Sequence, residues 1–355
     1  MKQDSIVGID LAKNTFSVCV MSSAGRVVVR KQLSRGQLFE WVICHSDGVI
    51  AMEACGGAHY WARRFEGASR GVRILPGQFV KPFVKSNKND DIDAEAICEA
   101  AWRPQMRFVA TRSEEQQDLQ SLHRIRERHV RQRTALANEI RGLLLEYGIV
   151  LSKGISHIRR DLPRIMEGHG VQHSQTWRAI FGELYEEFCG LDRRVDEHDQ
   201  RLAAIAKSDE VCQRLLKIPG VGELSSTAIV AAVGNAKEFT NGRQFAAWLG
   251  LTPKQYTTGG KMRLGGISKR GDRYLRKLLV QGALSAAIAA ERRRNHKDPL
   301  RRQLNKTQQW LFKVAERRGT RRAVVALANK TARRIWVVLS GQEFRQPEEL
   351  LPAAA

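Results

Sequence analysis

Ser5-Ile-Val-Gly-Ile-Asp10 is a short apolar run that ends in an acid, and this pattern determines the fold expected for the first third of the chain. Two more runs, residues 16–21 and 26–33, have the composition of strands, and residues 22–25 have that of the turn between them. We therefore predict three consecutive strands, with Asp10 at the end of the first. An isolated acid after a strand is usually a turn residue or a helix cap.

A second apolar run, Gly48-Val-Ile-Ala-Met-Glu53, also ends in an acid, and a helix is expected from about His59. Val72–Leu75 predicts a further strand, and residues 88–102 predict a helix that opens with several acids. These elements indicate an α/β domain over residues 1–110.

Four acids in this region suit a metal site. Asp10 and Glu53 end apolar strands, and Asp90 and Asp93 are three residues apart, so they share one face of a helix. Each has a simpler explanation, because acids also favour turns and the positive end of a helix dipole. Together they can gather four carboxylates at one edge of a sheet, the ligand set that Mg²⁺ or Mn²⁺ prefers. A pair of such ions can position a water or an alcohol against a phosphodiester.

Positive charge is concentrated in the last third of the chain. The net charge is +22, and residues 251–355 hold 24 Lys and Arg against seven Asp and Glu, whereas residues 111–250 hold 20 against 19. This asymmetry predicts a polyanionic partner for the last third. Nucleic acid is favoured over an anionic membrane, because no long uncharged apolar run or lipidation signal is present.

Composition also bounds the class of protein. A hydrophobic content of 43% excludes wholesale disorder. The six cysteines form no CxxC pair, so we interpret them as reduced packing residues of a cytosolic protein and not as zinc ligands. The opening residues lack the apolar core of a signal peptide. We therefore expect a cytoplasmic protein.

Residues 252–276 combine glycines, hydroxyls and cations. Gly259 and Gly260 are expected to let backbone amides approach a ligand closely. Thr257 and Thr258 place hydroxyls among phosphate-binding cations, where an activated hydroxyl can attack phosphorus. The alternative is a basic surface loop that only grips phosphate. The cations predicted to bind the nucleic-acid backbone are Lys261, Arg263, Lys269, Arg270, Arg273 and Arg276.

Apolar residues at three- and four-residue spacing predict two long helices within residues 111–150 and 177–205. We expect them to pack on each other or on another protomer. Residues 148–170, which Gly and Pro interrupt, are expected to form the link between them.

Two further features concern the C-terminal part. Gly220-Val-Gly222 resembles a helix–hairpin–helix turn that presents amides to a DNA phosphate, although a tight turn between helices explains it almost as well. Tyr274–Ala290 and Arg321–Leu339 predict helices, and the second carries Lys330, which we predict to bind nucleic acid.

Several motifs occur in order along nearly the whole chain. In the N-terminal part they are Gly8-Ile-Asp10-Leu-Ala-Lys, Met52-Glu53-Ala and Lys88-Asn-Asp90-Asp91-Ile-Asp93-Ala. In the C-terminal part they are Ile218-Pro-Gly-Val-Gly, Ala247-Trp-Leu-Gly-Leu-Thr-Pro, Gly259-Gly260-Lys, Ile267-Ser-Lys-Arg-Gly and Ala328-Asn-Lys. With these motifs the chain resembles the insertion-sequence 110/1111 transposases, the bridge-RNA-guided DNA recombinases.

The resemblance implies an architecture of α/β followed by all-α structure. It implies an N-terminal RNase H/RuvC-like DEDD domain at residues 1–110 and a helical coiled-coil domain with a linker at 111–210. A mainly helical C-terminal transposase domain at 211–345 and a flexible tail at 346–355 would follow. The first domain of one protomer would work with the third domain of another, so the resemblance implies a homo-oligomer, a dimer that assembles into a tetramer.

Residue by residue, the resemblance assigns catalytic and metal-binding roles to Asp10, Glu53, Asp90 and Asp93, with Asp91 and Glu95 as alternates. The nucleophilic serine of the family precedes the Gly-Gly-Lys element, and Thr258 occupies that position here. A threonine offers the same hydroxyl, but its methyl group restricts the rotamers and crowds the attack. Thr257 and Ser268 are the alternative nucleophiles.

The resemblance therefore implies a transposase that cleaves and rejoins donor and target DNA under the guidance of a structured bridge RNA. Attack by the Thr258 hydroxyl, assisted by Mg²⁺ or Mn²⁺, would give a covalent protein–DNA intermediate. The protein would act in the bacterial cytoplasm, in association with the nucleoid. Two alternatives stay open. One is a metal-dependent hydrolytic nuclease of the Holliday-junction-resolvase type, in which Thr258 only binds phosphate. The other is a non-catalytic nucleic-acid-binding protein whose acids are helix caps.

Overall fold

A five-stranded mixed sheet forms the centre of the N-terminal region. The computed structural model describes residues 5–84, 90–168, 174–298 and 302–342. The strands are β1 (Ser5–Asp10), β2 (Thr15–Ser22), β3 (Val27–Ser34), β4 (Val49–Glu53) and β5 (Val72–Leu75). Their order is β3-β2-β1-β4-β5, in which β1–β2 and β2–β3 are antiparallel and β1–β4 and β4–β5 are parallel. The predicted strands are confirmed.

Helices cover both faces of this sheet. On one face, α1 (Leu38–His45) buries Leu38 and Val42, and α2 (Ala58–Gly67) buries Trp61 and Phe65, in one core with side chains of the strands. On the other face lie the short α3 (Gly77–Val80), a 3₁₀ turn (Lys81–Phe83) and α4 (Asp90–Ala101). Because successive side chains of a strand alternate between the faces, Ile9 belongs to the first core and Ile6 to the second. The N-terminal region is thus mixed α/β, as predicted.

Gly8 allows α4 to approach β1 unusually closely. A Cβ atom at this position would lie 2.4 Å from the carbonyl oxygen of Ala94 and 2.6 Å from Sγ of Cys98. The Gly8 N–H donates to that sulfur at 3.1 Å. Glycine is therefore required here by the packing of the helix on the strand.

We predict that Gly8→Ala lowers the free energy of unfolding of the N-terminal unit by about 1–3 kcal/mol, because the added methyl group overpacks this contact. Urea unfolding followed by circular dichroism measures the loss. Gly36→Ala is the matched control, since a Cβ atom there meets nothing within 4 Å. Equal stability of the two variants would contradict the proposed packing role of Gly8.

The remainder of the chain is mostly helical, as predicted, and the chain separates into two compact units, residues 1–114 and 115–355. The finer division at residues 210/211 stays a prediction, and the tail at 346–355 lies outside the described residues. The helices are α5 (Glu114–Leu145), α6 (Ile155–Met166), α7 (Gln175–Ser208), α8 (Glu210–Leu216), α9 (Glu223–Val233), α10 (Gly242–Trp248), α11 (Arg273–Arg294), α12 (Lys306–Arg318) and α13 (Thr320–Leu339). None of the helices in the described ranges is long and apolar enough to cross a membrane.

The two long helices predicted in the middle of the chain are α5 and α7, but the segment between them is not only a link. Residues 155–166 form α6, although Pro163 lies inside it. A proline leaves the carbonyl four residues earlier without its helical donor. Tyr185 Oη of α7 donates to that carbonyl, on Arg159, at 3.2 Å. The expectation of a plain link was wrong because α7 supplies the missing hydrogen bond.

Side chains of α5, α6 and α7 form one apolar cluster, which includes Ile140, Leu162 and Phe188. Asp192 is buried within this part of the unit and pairs with Arg133 at 2.5 Å and with Arg159. A buried carboxylate needs such partners, because its desolvation would otherwise cost several kcal/mol. The three helices therefore share one core and one charged contact.

A buried histidine connects α5 with the C-terminal helices. His123 Nδ1 lies 3.1 Å from Tyr274 Oη of α11, and Nε2 lies 3.1 Å from Thr227 Oγ1 of α9. Because the Thr227 hydroxyl donates to Glu223 O at 2.7 Å, we assign Nε2 as the donor and Nδ1 as the acceptor. Burial, together with the charge of Arg126, lowers the pKa of His123 to about 4.

We predict that this histidine makes the protein less stable in mild acid. The unfolded chain, with a His pKa near 6.5, takes up a proton that the folded site resists. The stabilisation is complete above about pH 6.5 and declines as the pH falls towards 4, by on the order of 2–3 kcal/mol.

Urea unfolding at pH 7, 5 and 4 checks this prediction. His123→Gln keeps a donor and an acceptor but does not titrate, so its stability should fall less between pH 7 and pH 4. The same decrease in both proteins would show that His123 does not control the pH dependence.

Candidate active-site residues and the basic hairpin

Asp10 and Glu53 lie side by side at one edge of the sheet. β1 and β4 are parallel neighbours, and their last register pair joins Ile9 with Met52, so each acid directly follows that pair. By the alternation of side chains, both acids also point to the face that α4 covers, since Ile6 and Ala51 pack on that side. The fold therefore brings these two predicted residues together.

Asp93 lies on α4, next to Ala94, whose carbonyl oxygen contacts the position of Gly8. The close approach at Gly8 thus places Asp93 on the same side of the sheet as the two strand-end acids. The side chains of Asp90 and Asp91 lie outside the described residues. Glu95 pairs with Arg30 of β3 at 2.5 Å.

The thiol of Cys55 lies just after β4 and is influenced by both strand-end acids. Burial raises the pKa of Cys55, and the carboxylates of Glu53 and Asp10 raise it further. Both acids therefore act on one point just beyond the sheet edge. Glu53 also contacts Gly77, where a Cβ atom would lie only 2.3 Å from Oε1 of the carboxylate.

The donor chemistry of this edge fits a hard divalent cation. Asp10, Glu53 and Asp93 offer carboxylate oxygens, which suit Mg²⁺ or Mn²⁺. Among the side chains that the structure describes, no three Asp, Glu, His or Cys residues alone form a metal-binding group. Asp90, the fourth member of the predicted quartet, is not among those side chains.

The glycine-rich stretch forms an exposed β-hairpin, which corrects the expectation of a phosphate-cradling loop. β6 (Pro253–Thr258) pairs antiparallel with β7 (Lys261–Ile267), and every residue of β6 is exposed. Gly259 and Gly260 form the two-residue turn with φ values of 55° and 75°. Positive φ at both central positions is what a type I′ hairpin turn requires, so the turn itself accounts for these glycines.

Thr258 is the last residue of β6 and pairs with Lys261 across the turn. The neighbouring Thr257 hydroxyl accepts a hydrogen bond from Gln255 Nε2 at 3.2 Å. A Cβ atom at Gly259 or Gly260 would meet nothing within 4 Å. The Thr258 hydroxyl therefore lies at an open tip, where a large substrate has access.

The base of the hairpin is fixed by two glycines. Gly250 and Gly271 both have positive φ, and a Cβ atom at Gly271 would lie 1.8 Å from the carbonyl oxygen of Trp248. Ser268, an alternative nucleophile, lies in this base, where its amide donates to Thr252 O at 2.8 Å. Thr258 and Ser268 thus lie at opposite ends of the hairpin.

The predicted phosphate-binding cations surround the hairpin unevenly. Lys261 and Arg263 lie on β7 and are exposed, as are Lys269 and Arg270 just after it. Arg273 opens α11 and is exposed. Arg276 instead donates to Leu249 O at 3.0 Å, which ties α11 to the hairpin base.

The remaining predicted contacts lie in the helical core region. Gly220 packs against α11, since a Cβ atom at Gly282 would lie 1.9 Å from Gly220 O. Gly222 is exposed at the N-terminus of α9. Lys330 Nζ lies 4.6 Å from the centre of the Trp310 ring. Burial lowers the pKa of Lys330, as do the charges of Arg334 and Arg333.

Comparisons with known proteins match both ends of the chain to transposases. Residues 212–298 match a family model described as "Transposase IS116/IS110/IS902 family", and residues 7–149 match a DEDD-type IS110 model described as "Transposase". The sheet with its strand-end acids lies within the second match, and the hairpin lies within the first. The fold and these matches define the class as a DNA transposase.

Relatives cover almost the whole chain. The transposase for insertion sequence element IS1111A of Coxiella burnetii is 42% identical over 97% of this chain and 92% of its own length. A probable family 20 transposase of Pseudomonas aeruginosa is 42% identical over 97% and 99%. The transposase for IS1328 of Yersinia enterocolitica is 39% identical over 95% and 97%.

The chain belongs to the IS110/IS116/IS902 family of transposases. It is therefore an enzyme that binds DNA and cleaves and rejoins its strands. DEDD transposase domains use divalent metal ions, which agrees with the oxygen donors at the sheet edge.

Sequence reasoning missed several residues that the structure brings to notice. Gly77 contacts the Glu53 carboxylate, and no pattern in the sequence indicates this contact. Arg318, Arg321 and Arg322 line a cleft together with Lys330. A signal was available for these cations, since Arg-Arg pairs occur at 317–318 and 321–322.

Proposed function

We propose that this transposase is a site-specific recombinase that joins DNA strands through a covalent phosphoester on Thr258. The observation that carries the proposal is the position of that hydroxyl at the open tip of a basic hairpin. Such a tip can enter a DNA groove and bring an oxygen to a phosphorus atom. The flanking cations Lys261 and Arg263 would hold the neighbouring phosphates.

In the proposed reaction, Thr258 Oγ1 attacks the scissile phosphorus. The new P–O bond to threonine forms as the bond to one deoxyribose oxygen breaks. The hydroxyl proton passes to solvent, and the departing sugar oxygen takes up a proton. A sugar hydroxyl of the partner strand then attacks the phosphothreonine, which releases the threonine. One phosphoester bond is kept throughout, so rejoining needs no nucleotide cofactor.

The carboxylates of Asp10, Glu53, Asp90 and Asp93 would hold Mg²⁺ or Mn²⁺. When bound, such an ion activates a hydroxyl and stabilises charge on a phosphate oxygen. Asp10 and Glu53 contribute adjacent strand ends on one face of the sheet, and Asp93 contributes from the helix that covers that face. We further propose that these acids act on Thr258 of another protomer.

The proposed RNase H/RuvC-like character of the N-terminal unit has two supports. Three consecutive antiparallel strands begin the sheet, with a carboxylate at the end of the first. The adjacent parallel strand ends in the second carboxylate. A DEDD quartet on this framework is the arrangement that the resemblance implies.

A guide RNA and an oligomer complete the proposal. The net charge of +17 over residues 251–355 exceeds what one hairpin needs and suits a second polyanion, the bridge RNA.

Leu145, Tyr147, Val150 and Ile180 are large exposed hydrophobic side chains at the end of α5 and the start of α7. Such a patch favours association between protomers through a coiled-coil region.

We predict that Thr258→Ala abolishes the covalent adduct and lowers DNA cleavage on the order of 10³-fold or more, as expected when a nucleophile is removed. The measurement is a denaturing gel of end-labelled donor and target DNA after incubation with protein, guide RNA and Mg²⁺. A labelled, protease-sensitive species at the mass of the protein is the adduct. Thr258→Ser should retain it, because serine supplies the same hydroxyl.

Three more variants make this test specific. Asp10→Asn should abolish cleavage in both the covalent and the hydrolytic mechanism, because it removes a proposed metal ligand. Thr257→Ala and Ser268→Ala should keep the adduct, because they leave the proposed nucleophile in place. Free cleaved ends without an adduct, or cleavage by Thr258→Ala at the wild-type rate, would instead favour a hydrolytic nuclease.

We also predict that Gly77→Ala weakens metal binding roughly 10- to 100-fold. Its methyl group would displace the Glu53 carboxylate, which lies 2.3 Å from the added Cβ position. Mn²⁺ titration followed by electron paramagnetic resonance measures binding without any cleavage. Gly56→Ala is the control, since a Cβ atom there meets nothing within 4 Å. Wild-type affinity in Gly77→Ala would rule out Glu53 as a ligand held at this position.

A further inference from the structure

A cleft of about 1670 Å³ lies between the base of the hairpin, α12 and α13. One wall is the lower half of β7, which includes Gly265 and Gly266. The opposite wall is the outward face of α13. On this helix Leu327 and Ile335 face the core, whereas Arg322, Lys330 and Arg333 face the cleft.

The cleft is lined by cations from three helices. Five come from α13: Arg321, Arg322, Lys330, Arg333 and Arg334. Arg243 of α10 and Arg318 of α12 add two more. Of the residues that the structure describes, no acidic one lines the cleft. Seven like charges therefore surround one concave space.

This crowding is unfavourable in the protein alone. The pKa of Lys330 is lowered by burial and by the neighbouring Arg334 and Arg333, and burial also lowers the pKa of Arg334. Arg334 donates to a neutral hydroxyl, Thr307 Oγ1, at 2.7 Å. Within the described ranges, neither Arg322 nor Arg333 forms an ion pair. An anion in the cleft would relieve this repulsion, and each contact would be a charge-assisted hydrogen bond.

We infer that this cleft binds the phosphate backbone of one DNA strand, next to the strand segment that the hairpin tip engages. A row of cations spaced along α13 suits a chain of phosphates better than a small anion, and backbone contacts of this kind position a strand without reading its sequence. Both walls are exposed to solvent, so a strand can enter from the side.

The hairpin gives the reason for choosing DNA over the guide RNA. β7 runs without interruption from Lys261, which pairs with Thr258, to Gly265 in the cleft wall. Four residues of a strand span about 13 Å, which is the rise along the helix axis of about four phosphates of one B-form DNA strand. A DNA strand attacked at the tip would thus continue into the cleft. This choice rests on the proposed function of Thr258, whereas the cation cluster does not.

The test compares two double variants of the full chain that lose the same charge. Arg322→Ala/Arg333→Ala removes two exposed cations of the cleft. Lys313→Ala/Arg317→Ala removes two exposed cations of α12 that do not line it. Binding of fluorescent dT20 and rU20 is measured by anisotropy between 50 and 300 mM KCl, with EDTA present so that no strand is cut.

We expect the cleft variant to bind dT20 roughly 10-fold more weakly, with a salt slope reduced by about 1.4, which corresponds to two lost phosphate contacts on a single strand. The control should keep both the affinity and the slope of the wild type. A loss for dT20 that equals or exceeds the loss for rU20 supports the inference. Equal losses in the two double variants, no loss in the cleft variant, or a larger loss for rU20 would overturn it. Because cleavage is not measured, absence of a Thr258 adduct would leave this result intact.

Discussion

The close contact between Gly8 and α4 is the constraint on which the candidate acidic site depends. A helix that packs at ordinary distance would stand further from the sheet and carry its acids with it. Here the Ala94 carbonyl and the Cys98 sulfur occupy the space of a missing side chain, and the Gly8 amide donates to the sulfur. The strand order brings Asp10 and Glu53 together, because the parallel neighbours β1 and β4 end at the same edge of the sheet. The absence of a side chain at position 8 thus lets α4 bring Asp93 to the same side of the sheet as the strand-end acids.

The second unit also uses glycines to allow close packing, here between helices and at the base of the hairpin. Gly220 and Gly282 bring the α8–α9 turn against α11, and Gly250 and Gly271 hold the two chain segments at the base of the hairpin. His123 adds a polar contact that joins α5, α9 and α11. The packing around these glycines holds them in place, whereas β6, which is exposed along its whole length, lies outside the core.

The sequence predicted elements well where one local pattern dominates. The strands ending in Asp10 and Glu53 were predictable because a short apolar run that stops at a turn-forming acid is typical of a buried strand. α5 and α7 were predictable from their apolar spacing. α6 was not, because the carbonyl that Pro163 leaves without a helical donor is bonded by Tyr185, which lies 22 residues further along the chain than the proline. The hairpin was missed because two adjacent glycines fit a ligand-binding loop as well as a type I′ turn, and only the pairing of Thr258 with Lys261 separates them. Contacts such as that of Gly77 with Glu53 depend on tertiary structure alone.

The exposure of the hairpin has a consequence for its dynamics. Its backbone hydrogen bonds join only two strands, and its side chains add little to any core, so opening it costs far less than unfolding the helices beneath it. In hydrogen–deuterium exchange the amides of β6 and β7 would belong to the fastest class, and those of α11 and α13 to the slowest. Ordering this element on a strand would then consume part of the binding free energy. The tip that carries Thr258 is therefore a segment of low local stability on a stable helical base. The bound DNA strand would fix the position of the Thr258 hydroxyl.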